Sequence, residues 1–97
     1  MTKKSEEYIL GVSDYELERL RFQHGVWKDA TDSFFDKIGV KKGWKILDVG
    51  SGPGFAAFDL RERVGNSGAV TALEQSEIFL DYFRSECAKN NWNNVYS

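Results

Sequence analysis

The chain has 97 residues, of which 41% are hydrophobic and 29% are charged, a composition that is typical of a globular domain. Its 13 basic and 15 acidic residues give a formal net charge of -2, which offers no basic surface for nucleic acid. A single cysteine excludes an internal disulfide framework, and no apolar run reaches membrane-spanning length. The N-terminal sequence lacks the apolar core of a signal peptide, so we expect a cytoplasmic protein.

The first part of the chain predicts an arm followed by two helices. Residues 1–12 form the predicted arm, and Ser13 with Glu16 then makes the pattern of a capping box that starts the first helix. The second helix is predicted to follow Asp32, its candidate N-cap residue, and to end at Gly39.

One face of the first predicted helix is apolar. Four residues recur on it at helical spacing: Leu17, Leu20, His24 and Trp27. Because this stripe is too apolar to be left in water, we expect it to pack on the sheet or to cover a ligand site. His24 on this stripe is interpreted as a core or interface histidine. If the helix covers a site, Arg21, Gln23 or His24, or Tyr8 from the arm, could reach the ligand.

From residue 44 onward, strand and helix patterns alternate. The predicted elements are a strand over 44–49, a helix over 55–64, a strand over 69–74, a helix capped by Ser76 and a strand stub over 95–97. This alternation predicts an α/β fold with a parallel sheet and right-handed crossovers. The first strand is so uniformly apolar that we expect both of its faces to be covered.

The sequence ILDVGSGPGF joins the first strand to the helix that follows it. Gly50 and Gly52 permit backbone angles that other residues avoid, and they remove side chains so that a ligand can approach the main chain. Gly54 lets the helix begin close to the strand, and Pro53 fixes one backbone angle. The loop is therefore predicted to present backbone donors at the positive end of a helix dipole, where a carboxylate or phosphate binds.

Two acidic residues lie at the ends of the two predicted strands. Asp48 stands within the first strand, and a buried carboxylate needs partners such as loop N–H groups or a cationic ligand group. Glu74 closes the second strand, where it can accept hydrogen bonds from both hydroxyls of a ribose. A ligand with an amino-acid end, a ribose and a positive charge would satisfy the loop and both carboxylates. Alternatively, Asp48 is a buried helix-capping acid and Glu74 a solvated strand end. No spacing of metal ligands is present.

ILDVGSGPG followed by VTALEQS resembles the first two motifs of the class I S-adenosylmethionine-dependent methyltransferases. Their pattern is an acidic residue, G-x-G-x-G, and a second acidic residue that closes the next strand, whereas a dinucleotide fingerprint reads G-x-G-x-x-G. The resemblance implies a Rossmann-like parallel sheet that binds S-adenosylmethionine for methyl transfer. It implies that Asp48 faces the methionine amino group, Glu74 binds the ribose and Gln75 lies beside the adenine. The loop backbone would line the methionine and ribose: Gly50, Ser51, Gly52 and Gly54.

The resemblance also implies that the chain is the N-terminal half of such a domain, truncated after the second β-α unit. Residues 1–43 would be the arm and leader helices that cap the cofactor, and residues 44–97 the incomplete Rossmann-like part. We expect such a chain to be inactive alone and to self-associate through its unpaired sheet edge. The acceptor and the catalytic residues are not defined by the sequence. Two alternatives stay open: a nucleotide or nicotinamide binder, and a non-catalytic module that pairs with another chain.

Overall fold

The fold is known from a computed structural model that describes residues 3–97, with side chains described from residue 14 onward. Three parallel strands form one sheet in the order β1-β2-β3, and four helices accompany it. In chain order the elements are α1 (Lys3–Val26), α2 (Lys28–Ile38), β1 (Lys45–Val49), α3 (Phe55–Val64), β2 (Ala69–Leu73), α4 (Glu77–Lys89) and β3 (Val95–Tyr96). In the part of the chain described, no helix combines the length and apolar character needed to cross a membrane.

The beginning of the chain differs from the predicted arm and capping box. The helix α1 runs without a break from Lys3 to Val26, so Ser13 lies inside it and the predicted N-cap is wrong. Residues 3–12 contain no proline and only Gly11 as a weak helix former, so nothing in the sequence stops the helix before Ser13. Because α1 continues through this stretch, a capping box inside it has no helix end to satisfy.

The second helix begins four residues before its predicted cap. It starts at Lys28, and Asp32 accepts two hydrogen bonds from the Lys28 ammonium at 2.9 Å instead of capping a helix end. An i, i+4 pair of this kind stabilises the first turn of a helix. The predicted end is confirmed, because Gly39 adopts the left-handed conformation (φ 77°) that terminates α2.

The hydrophobic core lies between one face of the sheet and the helices α2, α3 and α4. Side chains that alternate along β2 are buried here, and Val70 is fully inaccessible. Each covering helix contributes buried residues: Phe35 from α2, Ala57, Leu60 and Val64 from α3, and Phe83 from α4. Since all three helices lie against the same face, the apolar faces of the helices and of β2 define a single core.

Asn94 is a buried polar residue that joins the core to the end of α3. Its side-chain Nδ2 donates to the carbonyls of Arg61 (2.9 Å) and Gly65 (2.8 Å), and its Oδ1 accepts from Arg61 Nε at 2.8 Å. Its own carbonyl accepts from the Val70 N–H. Every bond that a buried amide needs is therefore supplied, which allows a polar side chain that is 2% exposed.

The opposite face of the sheet is exposed and largely apolar. Leu47 and Val49 of β1 are 58% and 72% exposed, and Leu73 and Tyr96 on the neighbouring strands are about half exposed. Covering of both faces was expected for β1 but is not observed, because the described helices pack on one face only. Among the described strands, β1 pairs with β2 alone and is an edge strand.

Candidate functional site

The glycine loop folds back over the end of β2. The backbone N–H groups of Gly50 and Ser51 both donate to the Leu73 carbonyl, at 2.7 and 3.1 Å. Gly50 and Gly52 have positive φ angles of 69° and 60°, and a Cβ atom at either position would meet nothing within 4 Å. The two glycines are therefore required by the backbone conformation, and the space above them is open to a ligand.

Gly54 has a packing role that differs from the predicted one. A Cβ atom at this position would lie 2.4 Å from Cδ2 of Phe83 on α4, a distance at which atoms overlap. The absence of a side chain thus lets the first turn of α3 lie against α4, whereas the sequence indicated close approach to the strand. Gly54 and the preceding Pro53 are both buried.

Glu74 follows directly after β2 and holds the loop in place. Its Oε1 accepts from the Gly52 N–H at 2.7 Å, and its Oε2 accepts from the Ser76 N–H at 3.0 Å. The hydrogen bond from Ser76 is the largest cause that lowers the pKa of Glu74, and the N–H groups of Gly52 and Gln75 add to it. A carboxylate can accept about four hydrogen bonds, so Glu74 retains room for a further donor.

Asp48, at the end of β1, lies in a contrasting environment. Its Oδ2 atom is buried and has no hydrogen-bond partner among the described residues. Burial raises the pKa of this carboxyl group, because the charged form is poorly solvated. Since an unsatisfied buried oxygen is unfavourable, a cationic or hydrogen-donating ligand group beside Asp48 would be stabilised.

The other predicted contacts are placed more loosely. Ser51 is half-buried, and its hydroxyl makes a long 3.4 Å bond to the Gly52 carbonyl. Gln75 is exposed after the end of β2, and no side-chain contact fixes it in the part of the chain described. Tyr8 lies outside the residues whose side chains are described, so its predicted contact stays a prediction.

An open cleft of about 320 Å³ separates α1 from the glycine loop. The α1 side consists of Leu20, Gln23 and His24, together with Trp27 at the junction with α2. The loop side consists of residues 50–53, with Phe55 and Ala56 at the start of α3. Asp48 and Glu74 are not among the lining residues, so the cleft lies on the α1 side of the loop.

Polar contacts attach α1 to α3 and α4 beside this cleft. The His24 Nε2 lies 2.9 Å from Asp59 Oδ2, and the Arg21 guanidinium donates to the Tyr82 hydroxyl at 3.0 Å. The Phe55 ring lies between these contacts, 5.7 Å from the His24 ring. His24 is therefore an interface histidine, as the sequence indicated. Asp59 and Tyr82 carry no sequence signal of their own, because both partners are distant in the chain.

A metal site is not formed by the described residues. No three His, Cys, Asp or Glu side chains in residues 14–97 lie close enough together to hold a metal ion. Burial raises the pKa of the Cys87 thiol, which keeps this half-buried side chain in its neutral form.

Comparisons with known proteins agree on one class. A family model described as a methyltransferase domain matches residues 40–96, more than half of the chain. Demethylmenaquinone methyltransferase of Lactococcus lactis is 33% identical over 103 residues, covering 98% of this chain and 40% of that protein. The chloroplastic 2-phytyl-1,4-beta-naphthoquinone methyltransferase of Arabidopsis thaliana is 43% identical over 54 residues, covering 56% of this chain and 20% of that protein.

Solved structures agree in fold. A protein-L-isoaspartate O-methyltransferase superposes with a TM-score of 0.65 at 25% identity, covering 70% of this chain and 22% of that one. An S-adenosylmethionine-dependent methyltransferase of Aquifex aeolicus gives a TM-score of 0.62 at 32% identity, covering 67% of this chain and 35% of that one. The chain thus spans less than half the length of each of these relatives and solved structures.

Proposed function

The chain belongs to the methyltransferase-domain family, and from this premise we propose that it binds S-adenosylmethionine at the glycine loop for methyl transfer. The Rossmann-like α/β fold predicted from the sequence is confirmed by the parallel sheet and by the structural relatives. The observation that carries the cofactor assignment is the Glu74 carboxylate, fixed by two backbone N–H groups at the end of β2.

The described residues fit this cofactor at three positions. Glu74 retains acceptor capacity at the end of β2, which suits the hydroxyls of a ribose. Asp48 offers a buried oxygen without a partner, which suits the ammonium group of the methionine part. Gly50 and Gly52 leave open space beside the loop backbone, where the methionine and ribose part of the cofactor would lie.

S-adenosylmethionine, when bound, supplies a methyl group already activated by its sulfonium. The protein then needs to orient the acceptor toward this methyl group and to exclude water. Asp48 and Glu74 would fix the two ends of the cofactor, while the α1 side of the cleft would limit solvent at the loop. These roles explain why polar side chains converge at the strand ends although no nucleophile is required.

We further propose that the methyl acceptor is a ring of the naphthoquinone type. Two relatives carry names that specify demethylmenaquinone and 2-phytyl-1,4-beta-naphthoquinone as acceptors. The α1 side of the cleft presents an indole (Trp27, 60% exposed) and a leucine, surfaces against which a flat apolar ring packs well.

The cofactor assignment is tested by calorimetry with S-adenosylhomocysteine, the demethylated product, beside NAD at equal concentration. We expect saturable binding of S-adenosylhomocysteine and no binding of NAD, because the third glycine stands one residue early for a dinucleotide. Preferential binding of NAD would support the nucleotide alternative and contradict the proposal. Binding of neither ligand to a chain with intact circular dichroism would contradict both.

The exposed sheet face supports a second candidate, a module that pairs with another chain. Leu47 and Val49 present an apolar surface beside an unpaired edge, and such edges associate readily. We expect the chain alone to self-associate and to transfer no methyl group. Sedimentation of the wild type and of Val49→Lys tests this, with Lys45→Glu as a control that changes charge on the same strand. A monomeric wild type that methylates a naphthoquinol would contradict it.

A further inference from the structure

The part of α1 whose side chains are described, residues 14–26, contributes little apolar burial to the domain. Between residues 14 and 26, no side chain of α1 is buried, whereas α2 contributes the buried Phe35 to the core. Tyr15 and Phe22 of α1 are 72% and 75% exposed. Because hydrophobic packing holds residues 14–26 only weakly, polar contacts carry a large share of the positioning of this part of α1.

The contact nearest to the cleft is the pair of His24 and Asp59. The His24 ring lines the cleft, whereas Asp59 does not. Asp59 reaches the His24 ring from the second turn of α3. A carboxylate only accepts hydrogen bonds, so the Nε2 nitrogen is the donor in this 2.9 Å contact. Both side chains are about four-fifths buried, so water screens the pair less than it screens an exposed ion pair.

Neighbouring groups keep Asp59 directed toward His24. The Lys28 ammonium, which does not line the cleft, lies 3.5 Å from the same Oδ2 atom. On the other flank, the Arg21–Tyr82 hydrogen bond and the Phe55 ring hold the next turn of α1 against α4 and α3. The position of the His24 ring is thus fixed relative to the glycine loop, from which α3 begins.

We propose that Asp59 is a positioning residue that fixes α1, through His24, as the wall of the ligand cleft. This inference rests on the proposed function, since it takes the cleft as part of the S-adenosylmethionine site. Asp59 itself touches no ligand in this account. Its removal is expected to free α1 from the loop, which enlarges the cleft opening and weakens retention of the bound cofactor.

The test compares the chain with its Asp59→Ala, Asp59→Asn, His24→Ala and double Asp59→Ala/His24→Ala variants. We expect Asp59→Ala to raise the Kd for S-adenosylhomocysteine about five- to tenfold, a coupling of the usual size for neighbouring residues. Asp59→Asn keeps an acceptor for the imidazole and should recover most of the affinity. In the His24→Ala background, Asp59→Ala should change the Kd by no more than about twofold.

Asp36→Ala is the matched control. It removes a 2.6 Å ion pair between Asp36 and Arg63 that also joins neighbouring helices, α2 and α3, but lies away from the cleft. We expect this control to bind S-adenosylhomocysteine as the wild type does. An equal loss of affinity in Asp36→Ala and Asp59→Ala would overturn the proposal, because any loosened helix pair would then have the same effect.

Hydrogen exchange in the ligand-free chain provides a readout that does not depend on the cofactor. Asp59→Ala should speed exchange over residues 17–27 about tenfold while the amides of β2 stay protected. If the wild type binds no S-adenosylhomocysteine, the cofactor assignment fails, and the exchange rates alone decide whether Asp59 fixes α1. Unchanged hydrogen exchange in α1 of Asp59→Ala would show that Asp59 does not act as proposed. The same conclusion would follow if Asp59→Ala raised the Kd as much in the His24→Ala background as in the wild type.

Discussion

The ends of β1 and β2 carry one carboxylate each, and the two carboxylates lie in opposite electrostatic environments. Glu74 accepts hydrogen bonds from two backbone N–H groups, and these bonds lower its pKa. Asp48 is half-buried with an unpartnered oxygen, and burial raises its pKa. One carboxylate is thus stabilised by the fold itself, whereas the other gains its stabilisation only when a ligand group supplies a donor.

This difference indicates that the two carboxylates have different roles in the proposed site. Glu74 is already oriented before any ligand arrives, so the proposed binding of a ribose would require little reorganisation. We expect the poorly solvated Asp48 carboxylate to destabilise the ligand-free chain. A cationic ligand group that binds beside it would stabilise the charged form. Polar groups that are unfavourable in the free protein are common at binding sites for this reason. The predictions below change one end or the other and separate these two roles.

The largest effect is expected from Glu74→Ala. The substitution would remove the proposed charge-assisted bonds to the ribose and also releases the Gly52 N–H, so S-adenosylhomocysteine should bind about 2–3 kcal/mol more weakly. Calorimetry measures the change, with Glu77→Ala as the control because Glu77 is an exposed acid nearby on α4. Equal affinity of wild type and Glu74→Ala would refute the ribose assignment.

A smaller effect, of opposite sign for stability and binding, is expected from Asp48→Asn. Removing the poorly solvated charge should stabilise the ligand-free chain by about 1 kcal/mol. The same change should weaken S-adenosylhomocysteine about tenfold, because the methionine ammonium loses an ionic partner. Urea unfolding with and without ligand measures both quantities, and Asp81→Asn on the exposed side of α4 is the control. A loss of ligand-free stability in Asp48→Asn would contradict the account of Asp48.

The pH dependence of stability should distinguish the two carboxylates without a ligand. The pKa of Asp48 is raised in the folded chain, so its unfavourable effect is absent below the ordinary Asp pKa of about 3.9 and develops as the pH rises through the folded pKa. The stabilisation of Asp48→Asn over wild type should therefore grow with pH across this interval and then level off. A difference that stays constant with pH would show that Asp48 does not titrate as described.

Glu74 should show the reverse behaviour. Its pKa is lowered in the folded chain, so the stability that it contributes is fully present above its ordinary pKa and is lost as the pH falls through the folded value. The wild type should have a larger free energy of unfolding than Glu74→Gln at neutral pH, and this difference should shrink as the pH is lowered. Urea unfolding over a pH series measures this loss, and an advantage that persists in acid would argue against the two backbone bonds.

The smallest effect is expected from Gln75→Ala. Gln75 is exposed and makes no side-chain hydrogen bond in the described part of the chain, so the change should alter ligand affinity by less than about 0.5 kcal/mol. A loss as large as that of Glu74→Ala would show that Gln75 binds the adenine more directly than its exposure indicates.

Local signals explain which parts of this fold the sequence predicts well. The helix α3 has the predicted bounds, Ser76 caps α4 by accepting from the Phe79 N–H at 3.3 Å, and Gly39 ends α2. Each of these features depends on residues within one turn of the position concerned, and such interactions are encoded locally.

Features that depend on distant partners were not predictable in the same way. Asp59 and Asn94 owe their roles to residues about thirty positions away, at His24 and Arg61, and nothing in their own neighbourhood marks them. The uncovered face at Leu47 was missed for a related reason, since an apolar strand carries no information about which helices are present to cover it. The site residues at the strand ends could be proposed because Asp48 stands two residues before Gly50, the start of the glycine loop, and Glu74 closes the next predicted strand.

The central claim, that the glycine loop binds S-adenosylmethionine, is tested most directly by following backbone amide resonances during a titration with S-adenosylhomocysteine. The account predicts saturable shifts at Gly50, Ser51 and Gly52 and at the Ser76 amide that bonds to Glu74, with smaller changes along β3. Addition of NAD at the same concentrations should leave these amides unmoved. Saturable shifts confined to other parts of the chain, with the loop amides unchanged, would contradict the claim.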